Sequence, residues 1–250
     1  ARPTRTRGER RAKFGRRGRA PVGVDVKPQR APAARMDMDW NLIVGFLLGI
    51  VASGIAAIVY ERATSPLIEI TLDDRPIALG QYPGLPPLAF YHVRIRNLPV
   101  RWPFASRKPA WSSKATIEVF NLNGTRAIAE AIHARWPSQP EPVTPAVAGD
   151  QSINLVDFAR LMNARKVDIH SHEDEYIALA VKYEGQPECF IFSNESYLHG
   201  AWSNPAWRLN SGEYRVLITV FYERGHAQRA FSLANLRTAR NSVEIEYASA

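Results

Sequence analysis

Two rhythms of apolar residues divide the chain. From Leu42 to Tyr60, "LIVGFLLGIVASGIAAIVY" runs nineteen residues without a charge, a proline or anything more polar than Ser53. At 1.5 Å per helical residue the run covers about 29 Å, close to the roughly 30 Å hydrocarbon core of a bilayer. It lacks the polar stripe that a helix packed on a soluble core carries. A cleaved signal has a shorter apolar region, about 7–15 residues, with a small-residue site after it. Here "ASGIAA" falls inside the run instead. Trp40 and Tyr60 stand at its two ends, where amphipathic rings favour the headgroup level. The pattern predicts a retained membrane-spanning helix over residues 40–61.

Beyond Pro66 the period falls to two. The segments "LIEITL" (67–72), "FYHVRIRN" (90–97), "KATIEVFN" (114–121), "EYIALAVKY" (175–183), "CFIF" (189–192), "EYRVLITVFYE" (213–223), "AQRAFSL" (227–233) and "SVEIEY" (242–247) alternate β-branched or aromatic residues with polar ones. "AIAEAIHARW" (127–136) is expected as a further strand. Residues 137–165 break the rhythm: a Pro-rich loop, then "SINLVDFARLMN" as one short helix capped by Ser152. Short strands at regular spacing, with little helix between them, predict a β-sandwich or barrel. The expected organisation is a tail over 1–38, the helix, and one β domain over 66–248.

The phrase "LNSGEYRVLITV" narrows the β class. Leu209, Gly212 and Tyr214 stand as L-x-x-G-x-Y directly before a strong alternating strand. In immunoglobulin-like sandwiches a tyrosine at this place folds back, so that its hydroxyl bonds the backbone of the preceding corner. The expected fold class is mainly β, an immunoglobulin-like antiparallel β-sandwich after one N-terminal transmembrane helix.

The anchor followed by "SPLIEI", then "FYHVRIRN", "EYIALAVKYEGQPECFIFSNESYL" and "NPAWRLNSGEYRVLITV", resembles a group of uncharacterised bacterial single-pass membrane-anchored proteins with an immunoglobulin-like β-sandwich domain. The likeness runs from about residue 40 to 247 and leaves out the tail. It implies the fold; it carries over no reaction and no active site.

Charge separates the tail from the rest. Residues 1–35 hold ten Arg and two Lys against Glu9 and Asp25, a net of +10, whereas the whole chain is +8. The remainder is therefore at −2, nearly neutral. With Phe14 almost its only large apolar residue, the tail cannot bury enough surface to fold alone. It reads as a polyelectrolyte for anionic lipid or an acidic surface, with no specific nucleic acid. Lys27, Arg30 and Arg35 precede the helix and Arg62 and Arg75 follow it. With the tail, the positive-inside rule places the β domain outside a bacterial cytoplasmic membrane, in the periplasm. If the chain starts at Met36 or Met38 the bias reverses and the domain is cytoplasmic.

Residues able to do chemistry are few. "HSHEDE" brings His170 and His172 beside three carboxylates, but zinc requires three or four ligands in fixed geometry, and a solvated turn explains the stretch. The single cysteine, Cys189, lies in an apolar strand, where a buried thiol is inert. No Gly-rich phosphate loop, G-x-S-x-G or paired-cysteine site is present. The expectation is a protein without catalytic residues, cofactor or metal.

Binding features are better represented. Gly45, Gly49, Ser53 and Ala57 recur every four residues along one side of the helix, where small side chains let another helix approach closely. The partner through this face is a second copy or another membrane protein. "NLPVRWPFASRKPAW" (97–111) sets Arg101, Arg107 and Lys108 among Trp102, Phe104 and Trp111, and "SYLHGAWSNPAW" (196–207) carries Tyr197, Trp202 and Trp207. Arg and Trp are enriched in interface hot spots. If both loops meet at one end of the sandwich they form an aromatic patch. The expected function is a membrane-anchored, non-catalytic interaction module, an accessory subunit docking onto a membrane protein complex. The alternative is an envelope domain that binds or senses a ligand or carbohydrate, which a concave aromatic pocket would favour.

Overall fold

The computed structural model describes residues 40–80, 85–100, 106–148 and 151–248. The tail therefore lies outside the described residues. The chain opens with helix α1 (Trp40–Thr64), three residues longer than the apolar pattern predicts. It is long and apolar enough to cross a membrane, and its side chains from Trp40 to Tyr60 face outward without burial. At its C-terminal end Arg62 sits in the last turn, where a cation complements the helix dipole.

Residues 49–250 form one compact unit, mainly β. Its elements are β1 (Ile68–Gly80), β2 (Leu88–Asn97), β3 (Ala110–Asn121), β4 (Ile132–His133), β5 (Val143–Ala148), β6 (Gln151–Val156), α2 (Phe158–Asn163) and β7 (Val167–Ile169). Then come β8 (Asp174–Tyr183), β9 (Cys189–Ile191), β10 (Arg208–Leu209), β11 (Gly212–Tyr222), β12 (Gly225–Asn235) and β13 (Val243–Tyr247). One antiparallel sheet runs β1-β2-β8-β9-β10, a second runs β13-β12-β11-β3-β4 with β7 against β3, and β5 pairs β6 alone.

Alternation along the strands builds the core. Ile70, Val93, Ile95, Ile177 and Ile191 from the first sheet join Ile117, Val119, Val216, Ile218, Phe231 and Leu233 from the second in one buried cluster. Each fully buried aliphatic side chain there contributes on the order of 1.5–3 kcal/mol. The first sheet is apolar on its other face as well. Leu88, Ala178, Val181, Tyr183, Phe190 and Phe192 form a second cluster, with Phe90, Tyr197, Ala201 and Trp202 packed on it. Strand β8 is buried on both faces from Ile177 to Tyr183. Its "IALAV" is thus a continuous apolar run, the sequence form of a doubly covered strand, rather than half of an alternating one.

Two expected elements differ. "SINLVDFARLMN" is strand β6 followed by α2, and the cap is Asp157, whose carboxylate accepts from Arg160 N at 3.0 Å, not Ser152. Residues 151–156 pair with 143–148 across the whole hairpin, and those ladder bonds override local helix propensity. The segment 127–136 is a strand only at Ile132–His133. It crosses from sheet to sheet instead: Ala134 N donates to Ala115 O, and Ala178 N to Arg135 O. Ile128, Ile132 and Trp136 enter the core on the way.

Candidate functional site

On α1, nothing lies within 4 Å of where a Cβ would stand at Gly45 or Gly49. Ser53 Oγ donates to Gly49 O at 2.7 Å, so its hydroxyl is satisfied within the helix. Ala57 is exposed. The face is bare and smooth.

The described parts of the two aromatic loops lie apart. Strand β2 separates them: Asn97, at one end, donates its amide to Lys108 O at 2.9 Å, while Phe90, seven residues away, has its ring 5.8 Å from that of Trp202. At strand rise this is about 23 Å. Within the first loop, Arg101, Trp102 and Phe104 lie outside the described residues. Arg107 and Lys108 are turned back onto the chain. Arg107 Nη1 donates to Ala63 O (3.2 Å) and Ser65 O (2.8 Å), and Lys108 Nζ to Glu61 Oε2. Lys108 N donates to Thr64 O at 2.7 Å, and Arg224 also pairs with Glu61. The last carbonyls of a helix have no intrahelical donors, and this loop supplies them. Arg107 and Lys108 therefore serve the junction of helix and β domain. Trp111 remains 45% exposed, its ring edge-on to His170.

The second loop builds a cleft on the outer face of the first sheet. Residues 193–207 leave β9 through a capping box at Ser193 and make three short 3₁₀ turns. They lay Tyr197 and Trp202 against Phe90 of β2 and Phe192 beyond β9. Ring centroids are 5.0 Å apart for Phe90–Phe192, 5.8 Å for Phe192–Tyr197 and 5.9 Å for Tyr197–Trp202, all tilted or edge-on. Such pairs contribute about 0.5–1.5 kcal/mol each beyond burial. Tyr183 donates its hydroxyl to Ala201 O; burial raises its pKa to about 12. Ala201 and Trp202 both hold left-handed backbone, φ +52° and +53°, uncommon and strained for residues with a Cβ. Trp207 faces the other way, 3% exposed in the main core; it is a packing residue, not a surface for a partner.

The cleft beside Tyr197 has a volume of about 260 Å³, with Phe90, Phe192 and Arg135 among its walls. A neighbouring hollow of about 280 Å³ shares Tyr197 and Glu141 with it and reaches Trp202. A bulge shapes the floor. The β2–β8 register slips between Tyr91 and His92, so Leu179 and Ala180 both enter the main core while Ala178 and Val181 face outward. Bulges of this kind recur beside functional sites, where they re-aim side chains.

Arg135 is the buried charged group of the cleft, whose lining also includes His92, Gln139 and Glu141. It is 4% exposed. Nη1 donates to Asn194 Oδ1 at 2.7 Å, Nη2 to Gln139 O at 3.1 Å, and the guanidinium lies 5.3 Å from the Tyr197 ring centroid.

The remaining singled-out residues fall elsewhere. Tyr214 Oη donates to Asn210 O at 3.2 Å, and Gly212 stands at φ +157°, its Cβ position 3.6 Å from that hydroxyl; Leu209 is buried in the core. Cys189 is buried, and desolvation pushes its thiol up to about 12, away from the thiolate a nucleophile needs. His170 and His172 are exposed. Among the described residues no group of three or more His, Cys, Asp or Glu is arranged to hold a metal.

Phe90, Arg135 and Phe192 were not singled out from the sequence. A signal for the two phenylalanines exists: "FYHVRIRN" and "CFIF" carry large apolar residues in both phases of the alternation, which marks two buried faces. Arg135 gives none, because its position depends on a sheet-to-sheet crossing. No family model, curated protein or solved structure matches this chain.

Proposed function

We propose that the chain is a membrane-anchored, non-catalytic domain of the bacterial envelope that binds a small ligand in the cleft between Phe90, Arg135, Phe192 and Tyr197. The observation that carries this reading is the concavity itself: an aromatic-walled hollow with a polar group at its wall is the usual form of a ligand site. The buried, protonated thiol of Cys189 supports a role without nucleophilic chemistry. For the fold, the Tyr214–Asn210 bond at the start of β11 and the shared core of two antiparallel sheets favour an immunoglobulin-like sandwich. The excess of Lys and Arg ahead of α1 favours a periplasmic β domain, checked by protease accessibility in spheroplasts.

The test is a ligand screen on the full chain in non-ionic detergent, read by thermal shift. Small aromatic, aliphatic and sugar compounds would be compared on the wild type and on Phe192→Ala. Stabilisation by a compound class that Phe192→Ala abolishes supports the reading; no class acting through the cleft rejects it.

The accessory-subunit reading has its own observation, the bare Gly45/Gly49/Ser53/Ala57 face. Gly49→Leu should weaken recovery of co-purifying membrane proteins, or of a second copy, without blocking insertion, because Leu suits lipid but prevents close helix approach. An unchanged complex removes that face from consideration.

A further inference from the structure

We propose that the ligand of the cleft is a small organic monoacid, its carboxylate held by Arg135 and its aromatic or apolar body packed among Phe90, Phe192 and Tyr197. The proposal rests on the cleft being the binding site and names the chemistry that site selects.

The cleft wall holds a buried cation, Arg135. A guanidinium stays protonated in any protein environment, and a buried cation is costly unless it is paired. Arg135 is 4% exposed, yet among the described residues no carboxylate forms an ion pair with it. Its partners are an amide oxygen, a backbone carbonyl and an aromatic face, all neutral. Two hydrogen bonds occupy two of the five N–H donors a guanidinium carries.

A second donor is idle beside it. Asn194 is 3% exposed; its Oδ1 accepts from Arg135, and its Nδ2 is buried without a partner. The amide cannot be turned round to relieve this, since Arg135 offers only donors and needs the oxygen. Buried polar groups are normally satisfied. Of the two, Arg135 lines the aromatic hollow, with Asn194 behind it, and an anion is the charge partner this buried cation lacks.

Charge and shape select among anions. The planar fork of arginine matches a carboxylate in two parallel bonds. One guanidinium balances one negative charge, whereas a doubly charged phosphate would leave an excess against Glu141, which lines the same cleft. Glu141 is exposed and its field is screened by solvent and salt; Arg135 acts from a drier site and dominates. At about 260 Å³ the cleft lies just below the roughly 300–1,000 Å³ of small-molecule sites, which suits a small acid.

The test uses the full chain in non-ionic detergent and three matched probes: 3-phenylpropionate, 3-phenylpropionamide and phenyl phosphate. Trp202 emission, compared with that of Trp202→Phe, reports occupancy. Phenylpropionate should bind at least tenfold more tightly than the amide and more tightly than the phosphate. Arg135→Gln should bring acid and amide to equal, weak affinity. If that variant does not fold, the acid–amide comparison on the wild type still decides. Equal affinity of acid and amide overturns the monoacid assignment and leaves the cleft standing as an uncharged-ligand site. Tighter phosphate binding overturns the choice of carboxylate. No binding of any probe overturns both the monoacid and the cleft.

Discussion

Lys108 Nζ lies 2.5 Å from Glu61 Oε2, joining the loop after β2 to the last turn of α1. Arg224, from the turn after β11, pairs with the same carboxylate, and Arg107 covers two carbonyls of the chain leaving the helix. Arg107 and Lys108, two of the charges that make this loop look like a partner surface in the sequence, are spent on its own helix end.

Arg107→Ala should therefore loosen the junction. Hydrogen bonds from a charged donor contribute about 1.5–3 kcal/mol when well buried, and partial exposure here brings the expected loss nearer 1 kcal/mol. Hydrogen exchange should quicken at Ser65, Leu67 and Lys108, whose amides bond within this segment. Unchanged exchange there would mean that water replaces the guanidinium without cost.

Tyr214→Phe removes one donor to Asn210 O, but Asn235 Nδ2 also reaches that oxygen, at 3.1 Å. The carbonyl is not orphaned, so the expected loss is only about 0.5–1 kcal/mol. Asn235→Ala should cost more, about 2–3 kcal/mol, because the fully buried Lys182 ammonium loses the Oδ1 it holds at 2.6 Å. Urea midpoints of the two variants should fall in that order; the reverse order would make the tyrosine the true keystone of the corner.

Acid should expose a second pair. Hydrogen bonds from Arg96 Nε (2.5 Å) and Nη2 (2.7 Å) hold the Asp174 carboxyl below its ordinary 3.8. The folded state thus favours the ionised form. Its contribution is fully present above about pH 4 and is lost as pH falls through the lowered value. Both side chains are partly exposed, so it amounts to less than about 1 kcal/mol. The urea-midpoint gap between wild type and Asp174→Asn should be flat from pH 7 to about 4 and close below; a gap that persists into stronger acid would exclude the ion pair as its source.

Ala201 holds left-handed backbone at φ +52°, where a Cβ costs roughly 1–2 kcal/mol. Ala201→Gly should raise the melting temperature by relieving that strain, less a small loss from the methyl that packs on the outer cluster. A lower melting temperature would show that the packing outweighs the strain.

The features legible from the residues alone are local. An unbroken apolar run makes a helix long and apolar enough to cross a membrane, because its backbone groups are satisfied within the segment. Period-two alternation specifies which residues of β2, β3, β11 and β12 face inward. Tyr214 and Gly212 share one corner four residues long, so their relation was legible too. The tertiary structure decided what depends on distant partners. Val143–Ala148 drew residues 151–156 into a hairpin and left Asp157 to cap α2. Lys108 meets Glu61 across 47 positions, and Arg135 meets Asn194 across 59. A charged side chain reads the same in sequence whether it faces water or a buried amide; only the crossing of residues 132–136 between the sheets turns Arg135 from a surface charge into the wall of a cleft.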